Sequence, residues 1–356
     1  MPQVPTPGVS IHRKAQTFKG FTLFAPLRGN RVQLIDMAGK VVHSWKLHGG
    51  DGINHAMLLP GGRMFIGERG TGQPPPVPAR GGRLREYDWD GKVLWEHLDP
   101  DHHHDARRLP KGGAAYLAWE NIPKKYYRRI KGGMPGTEAH GTIFGDVIRE
   151  VNEAGKVVWE WRCWEHMALE EHPIIPLYSR EEFGHANTLV PLDDGNYLIG
   201  FRILNTMLVV DRKTKKVKWQ HRDDSWGGQH DGHFLPNGNI LVFANGNFVA
   251  EPHMQWPYSR VIELNPRTRK EVWSWRAPYV LEFYSPHISG AQRLPNGNTL
   301  VCEGGYGRLF ELSPAGEIVW EYVSPFYVPG KLGHSNSIFR AKRYAANSPE
   351  IGRRVK

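Results

Sequence analysis

Cysteine is nearly absent: the chain holds two, Cys163 and Cys302, in 356 residues. A disulfide-rich scaffold is thereby excluded. Two thiols fit a reducing compartment, so a cytoplasmic protein is expected. Each lies in an apolar or aromatic setting (EWRCW and TLVCE) and reads as a packing residue. No apolar run approaches the roughly 18 residues of a membrane helix, so no membrane span is expected. The opening MPQVPTPGVSIHRK has no apolar segment of the kind a secretory signal needs. Acidic residues fall short of basic ones, 36 Asp and Glu against 46 Lys and Arg, a formal charge of +10. Such a balance admits a nucleic acid, a membrane surface or an anionic substrate. The basic residues are spread along the chain, with clusters at 124–131 (KKYYRRIK) and in the tail (RAKRY, GRRVK). Neither belongs to a recognisable nucleic-acid module, so no nucleic-acid partner is expected. The 124–131 stretch reads as surface, with a lid or an oligomer contact as the alternatives.

What is plentiful is glycine (40), histidine (18) and tryptophan (13). Many turns with many indoles suggest short strands repeated often, and repeats are present. One unit reads QHDGHFLPNGNILVFANG, then a loop, then SRVIELNPRTRKEVWSW; the next reads PHISGAQRLPNGNTLVCEGG, then GRLFELSPAGEIVWEY. Earlier units follow the same plan: four β-rich runs, a tight Asn-Gly, Asp-Gly or Gly-Gly turn after the first and a charged turn after the third. Four short strands about every 50 residues mark a blade of a β-propeller. GHSNSIFRAKRY near the C-terminus supplies a first strand and stops. GFTLFAPLRGNRVQLIDMAGKVVHSW near the N-terminus supplies a second, third and fourth. Joined, they make a sixth blade and leave no open edge. The predicted fold is all-β: a six-bladed propeller of four-stranded blades, one domain over residues 1–356 with an N-terminal arm at 1–19 and a basic tail at 341–356. The fourth strand usually ends in tryptophan (Trp45, Trp95, Trp159, Trp219, Trp273, Trp320), which at that period reads as packing between blades.

The long inserts, at 69–82, 121–145, 163–184, 245–259 and 323–333, fall in second-to-third and fourth-to-first connections. In an up-and-down blade these connections share one face, so that face should bear the site. A histidine stands just before, or at the start of, every first strand: His55, His104, His185, His230, His287 and His334. First strands line the channel, so the six imidazoles are expected to point toward one axis at similar height. Arg202, ending a second strand, and Arg260, beginning a third, join them. Each offers a rigid fork for sulfate, phosphate or carboxylate. A small anionic or aromatic substrate suits this set.

The segment HANTLVPLDDGNYLIGFRILNTMLVVD resembles the H-x-N…DGN-x-L-x-S-x-R segment of arylsulfate sulfotransferases. QHDGHFLPNGNILVFANG, YSRVIEL and EFYSPHISGAQRLPNGNTLV resemble the segments that follow in that family. The similarity covers roughly residues 145–325. It implies a six-bladed propeller that moves a sulfuryl group from one phenol to another by way of a sulfated histidine, with no nucleotide donor and no other cofactor. It makes His185, His230 and Arg260 sulfate-binding and catalytic, with His287 and His334 as candidates for the nucleophile. Arg202, His55 and His104 are read as substrate-binding.

Two other functions fit the residues. Imidazoles from His55, His104, His185, His230, His287 and His334 converging on one axis are good ligands for Zn, Fe, Mn or Cu, which would open lyase, hydrolase or oxygenase chemistry. Asp105 and Asp231, each next to a channel histidine, could orient such ligand rings. A propeller that only displays loops to a partner is the third reading, and the many converging imidazoles speak against it.

Overall fold

Six blades, each with four antiparallel strands, form the body of the molecule, and short strands are added in the loops and at two blade edges. The computed structural model describes residues 6–49, 52, 56–70, 75, 77, 79–138, 141–248, 256–330 and 333–355. Blade one joins the ends of the chain: Ile338–Ala345 is its innermost strand, followed outward by Gly20–Pro26, Arg31–Ile35 and Val41–Lys46. Pairing of Thr22 with Arg343 and of Phe24 with Ala341 closes the ring as expected. Blade two is Met57–Leu59, Arg63–Arg69, Gly82–Tyr87 and Val93–Leu98. Blade three is His102–Arg108, Ala114–Asn121, Phe144–Val151 and Val157–Arg162. Blade four runs Ala186–Pro191, Tyr197–Phe201, Thr206–Val210 and Val217–Arg222. Blade five runs His230–Phe234, Ile240–Ala244, Arg260–Asn265 and Lys270–Trp275, and blade six Gly290–Arg293, Thr299–Glu303, Arg308–Leu312 and Ile318–Val323. Gly8–His12 adds a fifth strand to the outer edge of blade six.

The tight turns form where the sequence demands positive φ. In blade five Asn237-Gly238 turns the chain with Gly238 at φ +82°, and Leu235 and Asn239 close the turn through a 2.7 Å backbone bond. A side chain at that φ would be strained. Between the blades the strands bury both faces. Leu241, Phe243 and Val261 of blade five pack with Val301 and Phe310 of blade six, all at most 1% exposed.

The periodic tryptophans tie each blade to the next by a hydrogen bond as well as by packing. The indole N–H of Trp45 donates to the carbonyl of Asp88, Trp95 to Glu153, Trp159 to Arg212, Trp219 to Pro266 and Trp320 to Met37, at 2.8–3.0 Å. Each acceptor sits in the third-to-fourth turn of the following blade. In blade five the bond comes from Trp275, to Gly316 at 3.0 Å, while Trp273 lies under the Arg293 guanidinium of blade six. The bonds run all the way round and return from blade six to blade one.

Cys163 and Cys302 are buried and unbridged, and burial raises both thiol pKa values. No helix among the described residues is long and apolar enough to cross a membrane. The 124–131 stretch contains a short 3₁₀ helix, Lys124–Arg129, whose Lys124, Lys125 and Arg128 are exposed and whose Arg129 pairs with Glu170 at 2.6 Å.

Candidate active site

His185 is the last residue before the inner strand of blade four. It holds a left-handed backbone, φ +52°. Its Nδ1 lies 2.6 Å from Oε1 of Glu182, and both side chains are nine-tenths buried. Glu182 reaches this position because the link into blade four is stapled onto blade three: Glu182–Phe183 pairs in parallel with Phe144 and Gly145. Nδ1–H therefore donates to the carboxylate, and Nε2 of His185 carries the lone pair. Among the described residues nothing hydrogen-bonds that nitrogen. The His185 carbonyl in turn accepts the Arg202 backbone N–H at 3.1 Å, which places the arginine directly beside it.

His104 of blade three meets His185 edge to face, with ring centroids 4.4 Å apart. It too is left-handed, φ +47°. Its Nδ1 is 2.8 Å from Nδ1 of His103, whose ring stacks on Trp119 at 3.8 Å. Two ring nitrogens at that distance share one proton, so exactly one of them donates. Burial drives the pKa of His103 and His104 well below the usual imidazole value, and neighbouring imidazoles push the same way. Both rings are neutral at neutral pH. Asp146, against His103 and bonded by the Ala186 N–H at 2.7 Å, has its carboxyl pKa raised well above normal by burial.

His230 differs from the other two. Its Nδ1–H donates to Oδ1 of Asn245 at 2.7 Å, and its Nε2 accepts the Ile288 N–H at 3.2 Å. Asn245 is fixed by the carbonyls of Ser285 and Ile288. Both ring nitrogens are thus occupied. Burial, then Arg202, hold the His230 pKa well below normal.

Arg202 follows the second strand of blade four. Its guanidinium lies 4.9 Å over the Tyr178 ring and reaches the Pro286 carbonyl at 3.4 Å, and its buried Nε has no acceptor among the described residues. Phe248 stands edge-on to Tyr178 at 5.4 Å, and the Tyr284 hydroxyl donates to Asn247 at 2.7 Å. Burial raises the pKa of both tyrosines. His287 is exposed beside them, its pKa lowered by the surrounding protein and by Arg202. Among the described residues the mouth therefore joins one cation, aromatic faces and neutral imidazoles, a set able to hold an aromatic anion.

A family model described as arylsulfotransferase (ASST) matches residues 103–325, more than half of the sequence. The chain belongs to the arylsulfotransferase family. No curated protein matches it by sequence. Among solved structures it is similar to a protein of unknown function from Bacteroides caccae, 15% identical over 91% of this chain and 98% of that one, with a TM-score of 0.57. It is also similar to a streptogramin B lyase, 11% identical over 97% and 95% of the two chains, with a TM-score of 0.50. At such identities these likenesses concern the fold alone.

Within this arylsulfotransferase-family propeller the residues singled out from the sequence do not all meet. His104, His185, His230, Arg202 and His287 gather at the loop-bearing end of the channel. Arg260 does not join them: it bonds Glu271 at 3.0 Å on the outermost strand of its own blade and Ser225 at 2.9 Å. His334 is exposed on a hairpin formed by Val328–Gly330 and Gly333–Ser335, because the inner strand of blade one begins later, at Ile338. His55 lies outside the described residues. No group of three or more His, Cys, Asp or Glu side chains among the described residues is placed to hold a metal ion. Asp105 and Asp231 both pair with Arg340. Sequence reasoning missed Glu182, Asn245 and Arg340. The signal for Glu182 was a carboxylate three residues before a channel histidine (EEFGH). For Arg340 it was an arginine inside a channel-lining strand.

Proposed function

We propose that this protein transfers a sulfuryl group from an aryl sulfate to a phenolic acceptor, with His185 as the group that carries it. The observation behind this reading is the Glu182–His185 pair, 2.6 Å apart, whose Nε2 has no hydrogen-bond partner among the described residues and whose His185 carbonyl accepts the Arg202 backbone N–H. A neutral imidazole backed by a carboxylate is a good nucleophile, because the carboxylate stabilises the positive charge that develops on attack. Nε2 forms a bond to sulfur as the sulfur–phenoxide bond breaks. Arg202 offers its fork to the sulfonyl oxygens, where charge accumulates. In the second half-reaction the oxygen of the acceptor phenol attacks the same sulfur and the N–S bond breaks. The departing phenoxide leaves as the anion and takes its proton from solvent, whereas neutral His104, its Nδ1–H donated to His103, takes the proton of the attacking phenol on Nε2 and returns it to solvent. Tyr178, Tyr284 and Phe248 supply the surface for the aryl ring. The scheme needs no cofactor.

His287 also lies at the mouth but has no carboxylate partner among the described residues, which favours His185. The test is release of 4-nitrophenol from 4-nitrophenyl sulfate in the presence of a phenol. Wild type is expected to turn over in proportion to acceptor, and His185→Ala to lose on the order of 10³-fold or more in kcat. Wild-type protein that releases no nitrophenol, or a His185→Ala variant of full activity, contradicts the proposal.

A further inference from the structure

The geometry points to Arg340 as the positioning residue of the site: one buried guanidinium in the channel that sets the three histidine-bearing strands against one another. Arg340 belongs to blade one, and its side chain is fully buried. Its Nη1 bonds Oδ2 of Asp105 at 2.9 Å, its Nη2 the Asn187 carbonyl at 2.6 Å and the Thr188 hydroxyl at 3.0 Å, and its Nε lies 3.2 Å from Oδ1 of Asp231. Asp105 follows His104, Asp231 follows His230, and Asn187 is two residues beyond His185. One side chain from across the channel is therefore tied within two residues of each of His104, His185 and His230.

The backbone at these points needs holding. His104, His185 and Asp231 all have φ between +47° and +55°, a region that costs residues other than glycine free energy. Asp105 also accepts the Leu189 N–H at 2.9 Å, and Asp231 the Ala291 N–H at 3.2 Å, so each carboxylate carries the anchorage on to the next blade. A planar fork can face several acceptors at fixed angles, which an ammonium cannot. Phe339, beside Arg340 in the strand, lies against His104 and His230 at 6.2 and 6.3 Å between ring centroids.

This inference deepens the proposed sulfuryl transfer and rests on it for its kinetic consequence, but its geometric part can be read without substrate. Arg107 pairs with Asp105, and Lys342 lies 3.7 Å from Asp231, so Arg340→Met leaves neither carboxylate without a cation. The variants Arg340→Met, Arg340→Lys, Asp105→Asn and Asp231→Asn are made with histidine-labelled protein, and the imidazole resonances are recorded by NMR. Folded Arg340→Met and Arg340→Lys are expected to shift the signals of His104, His185 and His230 together. Asp105→Asn is expected to shift His104 but not His230, and Asp231→Asn the reverse. With 4-nitrophenyl sulfate, kcat is expected to fall at least tenfold in both Arg340 variants while KM changes less than about threefold. Folded variants with wild-type imidazole signals and wild-type kcat overturn the inference. So does an Asp105→Asn variant that disturbs all the histidines alike, since that is general loosening. If the signals move as expected while wild type itself transfers no sulfuryl group, the reaction is refuted and the anchorage stands.

Discussion

At the scale of single residues, the histidines sort by what their two nitrogens do. His230 spends both on protein groups, and His185 spends one on Glu182 and keeps the other. Substitution should separate these roles. Glu182→Gln keeps the shape but removes the charge that stabilises an imidazolium, and should lower kcat about a hundredfold with little change in KM. A variant within twofold of wild type would show the carboxylate to be incidental. His230→Ala should behave differently: it leaves Asn245 and the Ile288 N–H without their buried partner, at about 1–3 kcal/mol for each orphaned group. Its first symptom should be a lower denaturant midpoint, so an inactive His230→Ala of unchanged stability contradicts the structural role. His104 and His185 were legible in the sequence because the repeat sets them at the head of channel strands. Glu182 was not, because its approach depends on a short strand paired across to blade three, and no local pattern announces that pairing. His334 misled for a related reason: the inner strand it was expected to open begins four residues later.

At the scale of elements, the blades were readable from turn chemistry, since Asn-Gly and Asp-Gly turns mark the strand ends with little ambiguity. The tryptophans were readable as packing, but their hydrogen bonds to the turn of the next blade were not. In blade five the donor is Trp275 rather than Trp273, which periodicity alone could not distinguish. The bond from Trp320 to the Met37 carbonyl joins the last blade to the first. Trp320→Phe removes that bond and some buried volume, and should cost about 1–3 kcal/mol in chemical denaturation with an unchanged denaturant slope. Stability within about 0.5 kcal/mol of wild type would mean that the indole bond contributes nothing to closure.

At the scale of the whole molecule, closure by the two chain ends followed from counting strands, whereas the content of the channel did not. The sequence suggested six imidazoles around an axis. Among the described residues the channel holds three of them, His104, His185 and His230, with His287 at its mouth and a buried arginine and two aspartates behind, and that arrangement depends on which residues of each strand turn inward. Keeping so many imidazoles neutral has a consequence for acid stability. Burial lowers the pKa of His102 to about 4, and pushes those of His103, His104 and His230 well below normal. In the unfolded chain each takes a proton near pH 6.5. Below that pH the unfolded state binds more protons, so stability falls as pH drops, by up to about 1.4 kcal/mol per pH unit for each group. Asp146 acts with the opposite sign, because its raised pKa favours the folded state as the pH falls. His233, lowered to about 4, joins the first set, and Asp101 and Glu303, raised by burial, join the second. Five buried imidazoles against three carboxyls should leave the urea midpoint lower at pH 5.5 than at pH 7.5, and an equal or higher midpoint contradicts the burial of neutral imidazoles. The central claim, that the wheel of blades presents His185 as the sulfuryl carrier, is tested most directly by exposing wild-type protein to 4-nitrophenyl sulfate without acceptor, quenching, and mapping modified peptides by mass spectrometry. A sulfuryl group on His185, discharged when a phenol is added, is the expected result; a label on His287 alone, or none on any histidine while nitrophenol is released, would contradict it.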